Sequence, residues 1–154
     1  MKIVYLHQYF KTPAMAGGTR SYEMALRLVR KGHEVHVVTS STDLTSDSDK
    51  WFVETIDGIT VHWLPVAYSN SMGFVRRLLA FSEFARKAGR YASKLEADVV
   101  FATSTPLTIA IPGIKASKAL NAPMVFEVRD LWPDIPIALG VLKSPITQVF
   151  GAGT

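Results

Sequence analysis

Short apolar runs alternate along the chain with longer segments whose apolar residues recur at helical spacing. The runs at 2–8, 34–39 and 98–102 predict buried strands, since they are short and rich in valine and aromatic residues. Residues 20–31 place apolar side chains at i, i+3, i+4 and i+7, which predicts an amphipathic helix that ends at Gly32. This alternation of strand and helix is typical of an α/β protein.

A hairpin is predicted in the middle of the sequence. Segments 51–56 and 59–64 flank Asp57-Gly58, a pair typical of a two-residue type I′ turn. We expect the second arm to join the main sheet. Farther along, residues 106–120 predict a helix that crosses back over the sheet, and residues 123–128 predict the next strand.

These elements predict an α/β fold of the Rossmann-like, three-layer sandwich kind. Because parallel crossovers are right-handed, the simplest assembly is a mostly parallel sheet of order 3-2-1-4-5, in which the second hairpin arm is strand three and the first arm extends the edge. A chain of 154 residues fits one such domain. A further helical pattern starts near Pro145, close to where the sequence stops, so we expect a C-terminal domain outside this sequence.

Composition narrows the class of protein. The hydrophobic content of 48% and the charged content of 19% are typical of globular proteins and argue against disorder. No apolar run is long enough to span a bilayer, and the N-terminus does not resemble a signal peptide. The absence of cysteine excludes disulfides and thiolate chemistry and fits a cytoplasmic protein.

Positive charge is concentrated in one predicted helix, residues 72–95. Its basic residues alternate with apolar ones and are Arg76, Arg77, Arg86, Lys87, Arg90 and Lys94. An amphipathic helix with a cationic face suits an anionic membrane surface. An ordinary surface helix, with its apolar face on the sheet and its basic face in water, explains the same pattern. Nucleic acid is not an expected partner, because no recognised reading motif or aromatic platform accompanies these residues.

The junction between the first strand and the first helix carries the clearest chemical signal. Gly17 and Gly18 lie there, and a glycine pair before a helix lets backbone amides approach a phosphate closely. Arg20, in the first helical turn, adds a cation. The alternatives are loop glycines that only accommodate positive φ, and a surface arginine without a ligand. The junction lacks GxGxxG, which argues against a dinucleotide site.

Five stretches of the sequence together resemble a known family. They are HQYF at 7–10, GGTRS at 17–21, LVRKGHEVHVVTS at 28–40, STP at 104–106 and VRDLWPD at 128–134. In this order and spacing they are similar to the N-terminal domain of family 4 glycosyltransferases of the GT-B type. Within that family they are most similar to the branch that builds bacterial capsule, colanic acid and O-antigen sugars. The resemblance covers essentially residues 1–150.

The resemblance implies a retaining transferase that moves a sugar from a nucleotide-sugar donor to a lipid-linked or glycan acceptor in bacterial surface polysaccharide synthesis. It also implies that a C-terminal domain binds most of the donor, so we expect this N-terminal, acceptor-side domain to be inactive alone. The donor is a substrate; no cofactor and no metal are expected. The alternatives are a noncatalytic carbohydrate- or partner-binding subunit and, less favoured, an NAD-dependent nucleotide-sugar-modifying enzyme.

Arg129 and Asp130 are the expected catalytic residues, because two charged side chains interrupt an apolar run where the fifth strand ends. Many family members have a histidine at the position that matches Arg129. Arginine stays protonated and cannot act as a general base. We therefore expect Arg129 to neutralise phosphate or hold a sugar hydroxyl, and Asp130 to orient or activate the acceptor hydroxyl. An intramolecular salt bridge is the structural alternative.

Further substrate contacts are expected at the same edge of the sheet. His7 ends the first strand, Ser104 and Thr105 follow the fourth, and Trp132 offers a flat face for a sugar. Each residue also has a structural explanation: a buried histidine bonded to a carbonyl, two caps for the following helix, and a core tryptophan.

The expected partners also include surfaces. We expect a cytoplasmic protein that docks on the inner face of the cytoplasmic membrane through the helix at 72–95. We also expect the domain, when isolated, to self-associate through the apolar face that would meet its C-terminal partner.

Overall fold

The structure is a computed structural model that describes residues 1–41, 50–65, 71–104 and 106–129. In chain order its elements are β1 (Lys2–Leu6), α1 (Arg20–Arg30), β2 (Glu34–Ser41), β3 (Phe52–Ile56), β4 (Ile59–Pro65), α2 (Phe74–Ala92), β5 (Val99–Thr103), a short 3₁₀ turn (Leu107–Ile109), α3 (Ala110–Leu120) and β6 (Met124–Glu127). The helix expected after Pro145 lies outside the described residues.

The strands form one six-stranded sheet in the order β3-β4-β2-β1-β5-β6. Every neighbouring pair is parallel except β3 and β4, which form the antiparallel hairpin at one edge. The predicted order, with the second hairpin arm inside the sheet and the first arm at its edge, is confirmed. β1 lies between β2 and β5, so the chain reverses its direction of travel across the sheet beside β1.

Both faces of the sheet are covered, which completes the three layers. Val4 and Leu6 point to the face covered by α2 and α3, where Phe84 is buried. Ile3 and Tyr5, the alternate residues of β1, point to the face covered by α1. This two-sided burial is the reason that the sequence of β1 is a nearly continuous apolar run.

The hairpin turn is of the predicted kind. Asp57 and Gly58 both have positive φ, at 50° and 82°, as a type I′ turn requires. The Tyr22 hydroxyl of α1 donates a hydrogen bond to the Asp57 carboxylate. The turn is therefore fixed by its own sequence and attached to the neighbouring helix.

Two predicted helices have different limits in the structure. The helix expected over 106–120 begins with the 3₁₀ turn and becomes α-helical only at Ala110. The helix expected over 72–95 is α2, and its first turns are not packed on the sheet: Phe74 and Val75 are both largely exposed. The apolar pattern alone did not separate these residues from the buried Phe84.

Candidate active site

The loops that follow β1, β5 and β6 meet at the carboxyl edge of the sheet. The backbone N–H of Ser104 donates to the carbonyl of Glu127 at 3.0 Å, and the backbone N–H of Arg129 donates to the Ser104 hydroxyl at 2.8 Å. The backbone N–H of His7 donates to the carbonyl of Val38 at 3.2 Å. Three of the expected site residues therefore lie at one edge, because parallel strands end there together.

Arg129 is fixed by three hydroxyl groups. Its Nε donates to Thr103 Oγ1 at 2.9 Å, and its Nη2 donates to Ser21 Oγ at 2.6 Å. Its backbone N–H is bonded to Ser104, as described above. The side chain is mostly buried. The site thus holds a permanent cation whose position is set by groups from α1, β5 and the residue after β5.

Glu127 supplies the negative charge next to this cation. One of its carboxylate oxygens lies 3.6 Å from Arg129 Nε and forms an ion pair with Arg20 at the start of α1. Arg20, expected to meet the donor phosphate, therefore has a carboxylate partner, although most of its side chain stays exposed. Among the described residues, the ion-pair partner of Arg129 is Glu127. Asp130, the other expected catalytic residue, lies outside the described residues.

His7 is buried at this edge, with 6% of its surface exposed. Among the described residues, its Nδ1 has no hydrogen-bond partner, so the expected structural alternative of a histidine bonded to a carbonyl is not seen at that atom. Burial, with a smaller contribution from the positive charge of Arg129, lowers the pKa of His7 to about 3. The ring is neutral near pH 7 and offers a hydrogen bond without a charge.

The two glycines before α1 differ in their backbone and surroundings. Gly17 has φ of +126°, and a Cβ there would lie 3.3 Å from Lys11 Cγ. At Gly18 φ is not positive, and a Cβ would meet nothing within 4 Å. Gly17 is thus explained by its conformation. Gly18 has no such explanation and borders open space.

The expected capping role of Ser104 is wrong. Pro106 is the residue before the 3₁₀ turn, and among the described residues no side chain caps that turn. The Ser104 hydroxyl instead accepts the hydrogen bond from the Arg129 backbone. The expected substrate contacts Thr105 and Trp132 lie outside the described residues.

Three residues of the site were not predicted from the sequence. Ser21, Thr103 and Glu127 surround Arg129, and the Tyr5 hydroxyl donates to Ser21 Oγ at 3.3 Å. The available signals were weak. Ser21 is a small polar residue on the buried stripe of an amphipathic helix, and Thr103 ends a buried strand.

A second polar cluster lies away from this edge, on the face that α2 covers. His36 Nδ1 and His62 Nε2 are 2.9 Å apart, His36 Nε2 is 2.7 Å from Glu34 Oε1, and His62 Nδ1 is 2.6 Å from the Tyr91 hydroxyl. One tautomer set satisfies all three contacts: Tyr91 donates to His62, His62 to His36, and His36 to Glu34. Burial, with a smaller effect of His36, lowers the pKa of His62 to about 4. The cluster is a structural link between β2, β4 and α2.

Within residues 1–41, 50–65, 71–104 and 106–129, no group of three or more histidine, aspartate or glutamate side chains is arranged to hold a metal ion. None of the helices in that part of the chain is both long and apolar enough to cross a membrane.

A mostly parallel sheet covered by helices on both faces, with a cluster of polar side chains at the carboxyl edge beside the central strand, defines a Rossmann-like α/β domain. The sequence matches the family described as "Glycosyl transferase 4-like domain" over residues 16–149. The chain therefore belongs to the glycosyl transferase 4-like family.

The other comparisons concern single proteins. No curated protein matches the sequence. The C-terminal domain of a hydrogenase from Pyrococcus furiosus, residues 78–226, shares 16% identity, covers 82% of this chain and 89% of its own, and superposes with a TM-score of 0.55. A second structure of that domain, residues 83–215, shares 13% identity, with coverages of 82% and 90% and the same TM-score of 0.55. At these identities the likeness shows the fold alone.

Proposed function

We propose that this domain is the acceptor-side half of a retaining glycosyltransferase, which moves a sugar from a nucleotide-sugar donor to a lipid-linked or glycan acceptor. The observation that carries the proposal is the Arg129 guanidinium, held by Ser21 and Thr103 at the carboxyl edge, beside the neutral, buried His7. The family match supports a glycosyltransferase-type role in general.

Arg129 would stabilise the negative charge that develops on the departing diphosphate. The carbon–oxygen bond between the sugar and the diphosphate breaks, and the acceptor oxygen bonds to the same carbon on the same face. The acceptor proton passes to an oxygen of the leaving phosphate. A cation that is already oriented does not have to reorganise as this charge forms. Because arginine does not give up its proton, this role is electrostatic.

His7 would bind a neutral group of the substrate. Its pKa of about 3 keeps the ring uncharged, so it suits a sugar hydroxyl better than a phosphate oxygen. Its buried Nδ1, which lacks a partner within the described ranges, is the atom available for that hydrogen bond. A hydrogen bond between the substrate and this atom would remove the free-energy cost of an unsatisfied buried polar atom.

The remaining site residues complete the proposal. Gly18 borders open space before α1 and would let backbone amides approach the donor phosphates, with Arg20 nearby. Asp130 would orient the acceptor hydroxyl, while Thr105 and Trp132 would contact the acceptor at the rim. A C-terminal domain would bind most of the donor, and the transfer would be a step in bacterial surface polysaccharide synthesis.

Transfer assays with the full-length protein test this proposal. UDP- and GDP-sugars are supplied with a polyprenyl-diphosphate-linked acceptor, and we expect transfer with retention from one donor class. Arg129→Lys keeps the charge but loses the fixed planar geometry, so we expect kcat to fall by about 100-fold or more. Arg27→Lys, an exposed change on α1, is the matched control and should leave kcat unchanged. Absence of both transfer and donor hydrolysis with every nucleotide sugar would contradict the proposal.

A further inference from the structure

The first two turns of α2 expose an apolar surface. Four large apolar side chains there are Phe74, Val75, Leu78 and Leu79, with exposed fractions of 71%, 67%, 44% and 64%. Scattered exposed apolar residues are ordinary, but four in six consecutive positions at one helix end form a patch. We call these four residues the apolar turn.

The apolar turn comes directly before the part of α2 that packs on the domain, where Ala80 and Phe84 are buried. The ring of Phe81 contacts that of Tyr9, in the loop that follows β1, at a centroid distance of 6.4 Å. Phe74 precedes Phe81 by seven residues, which corresponds to roughly 10 Å along a helix. Since β4 ends at the carboxyl edge and α2 follows it, the apolar turn projects at the same edge as the candidate site.

Positively charged residues lie farther along the helix, on the same side as part of the apolar turn. Val75, Leu79, Arg86 and Arg90 recur at helical spacing on the side opposite the buried Phe84, and all four are exposed. The one acidic residue of α2, Glu83, pairs with Lys87 at 2.7 Å. The outward side of α2 is therefore apolar at its start and carries the two arginines Arg86 and Arg90 farther along.

This helix accounts for the net charge of the whole chain. α2 carries five of the 17 basic residues and one of the 13 acidic residues, so its net charge of +4 equals the net charge of the protein. Outside α2, the basic and acidic residues are equal in number. A second copy of the chain therefore offers no excess of negative charge to pair with α2, whereas an anionic lipid surface does.

We propose that α2 docks on an anionic membrane, with the apolar turn inserted among the lipid headgroups and the arginines of its outward side against them. Insertion by a few ångströms would remove Val75 and Leu79 from water, and the charges would add attraction that falls with salt. Docking would hold the carboxyl edge of the sheet close to the lipid surface. The proposal does not depend on sugar transfer, and its test requires no enzymatic activity.

Vesicle partitioning tests the proposal with the chain itself. The probes are vesicles of equimolar phosphatidylglycerol and phosphatidylcholine, and vesicles of phosphatidylcholine alone. We expect binding to the anionic vesicles only. Val75→Ser with Leu79→Ser should weaken binding by about tenfold or more, and Arg86→Gln with Arg90→Gln by roughly tenfold.

Matched variants keep the test specific. Ile111 and Ile114 of α3 are 59% and 46% exposed, so replacing both by serine removes comparable apolar surface elsewhere. Arg27→Gln with Arg30→Gln removes two exposed charges from α1. Both pairs should bind anionic vesicles like the unchanged chain. Equal weakening by α2 and control pairs would overturn the proposal, as would absence of binding.

A position-specific label gives a second readout. The chain has no cysteine, so Leu79→Cys and Ile111→Cys each provide one site for an environment-sensitive fluorophore. We expect a blue shift on anionic vesicles from position 79 and none from position 111. Sedimentation in solution tests the alternative that a second copy of the chain binds to the apolar turn. Self-association that is lost in the Val75→Ser, Leu79→Ser pair, with no label shift on vesicles, would overturn the proposal in favour of a second copy.

Discussion

The guanidinium of Arg129 and the hydroxyl of Ser21 lie 2.6 Å apart, although 108 residues separate them in the chain. Ser21 belongs to the first turn of α1, and Arg129 follows β6, so the contact joins opposite ends of the described sequence. The Tyr5 hydroxyl donates to the same serine oxygen at 3.3 Å. Ser21 thus positions the cation at the centre of the candidate site.

Replacing Ser21 by alanine should lower activity through Arg129. A hydrogen bond to a charged group contributes about 1.5–3 kcal/mol, so we expect kcat/KM for sugar transfer by the full-length protein to fall at least roughly tenfold. Tyr5→Phe is the control, because it removes the other bond to Ser21 and leaves the bond from Arg129. Equal losses in the two variants would show that Ser21 acts only through general packing.

His7 should make the domain less stable in acid. Its pKa is about 3 when folded and about 6.5 when unfolded, so the unfolded chain binds the extra proton between these values. The stabilisation is complete above pH 6.5 and is lost as the pH falls toward 3. For His7 alone we expect the free energy of unfolding to drop by about 2 kcal/mol from about pH 7.5 to about pH 5.

His7→Asn isolates this contribution. Asparagine does not titrate, so urea unfolding of the variant should lose about 2 kcal/mol less over the same interval. Arg129→Gln, followed by nuclear magnetic resonance, should raise the pKa of His7 but leave it below 6.5, because burial is the larger cause. An unchanged pH dependence in His7→Asn would contradict the buried, neutral state.

Gly17 and Gly18 should respond differently to alanine. Gly17→Ala forces a side chain into φ of +126° and against Lys11, so we expect a loss of about 1 kcal/mol or more in unfolding free energy. Gly18→Ala meets nothing within 4 Å and should leave stability within about 0.5 kcal/mol. If the donor phosphates approach Gly18, its added methyl should still raise KM for the nucleotide sugar. An unchanged KM would remove Gly18 from the site.

Gly113 should be required for the packing of α3 on the sheet. A Cβ there would lie 2.8 Å from Met124 Sδ and 3.1 Å from the Ala102 Cβ. Overpacking costs about 1–3 kcal/mol, and the better helix propensity of alanine recovers about 1 kcal/mol. We expect Gly113→Ala to lower the unfolding free energy by up to about 2 kcal/mol. Gly18→Ala, with nothing within 4 Å and no positive φ, is the control and should unfold close to the original chain.

The fold was largely predictable from local signals. The parallel strands are buried on both faces, so their sequences are apolar runs that can be recognised without knowledge of their neighbours. The hairpin turn depends on the backbone preferences of Asp57 and Gly58 themselves. The rule of right-handed crossovers then made the observed order of the strands the simplest assembly.

The candidate site was predictable only in part. His7, Ser104 and Arg129 were found because the ends of parallel strands share one edge. Their partners were not. Whether Ser104 caps a helix or bonds to Arg129 depends on the distance between the ends of β5 and β6, which no local pattern specifies.

The sequence by itself determined the class of fold, the hairpin, the edge at which the candidate site lies and the concentration of positive charge near residue 80. Only the tertiary structure decided that Ser21 and Thr103 hold Arg129, that Glu127 neutralises Arg20, and that the apolar turn of α2 stays uncovered. The physical reason is the range of each effect. Periodicity and turn preference act over a few residues, whereas hydrogen bonding and burial depend on which distant atoms the fold brings within contact.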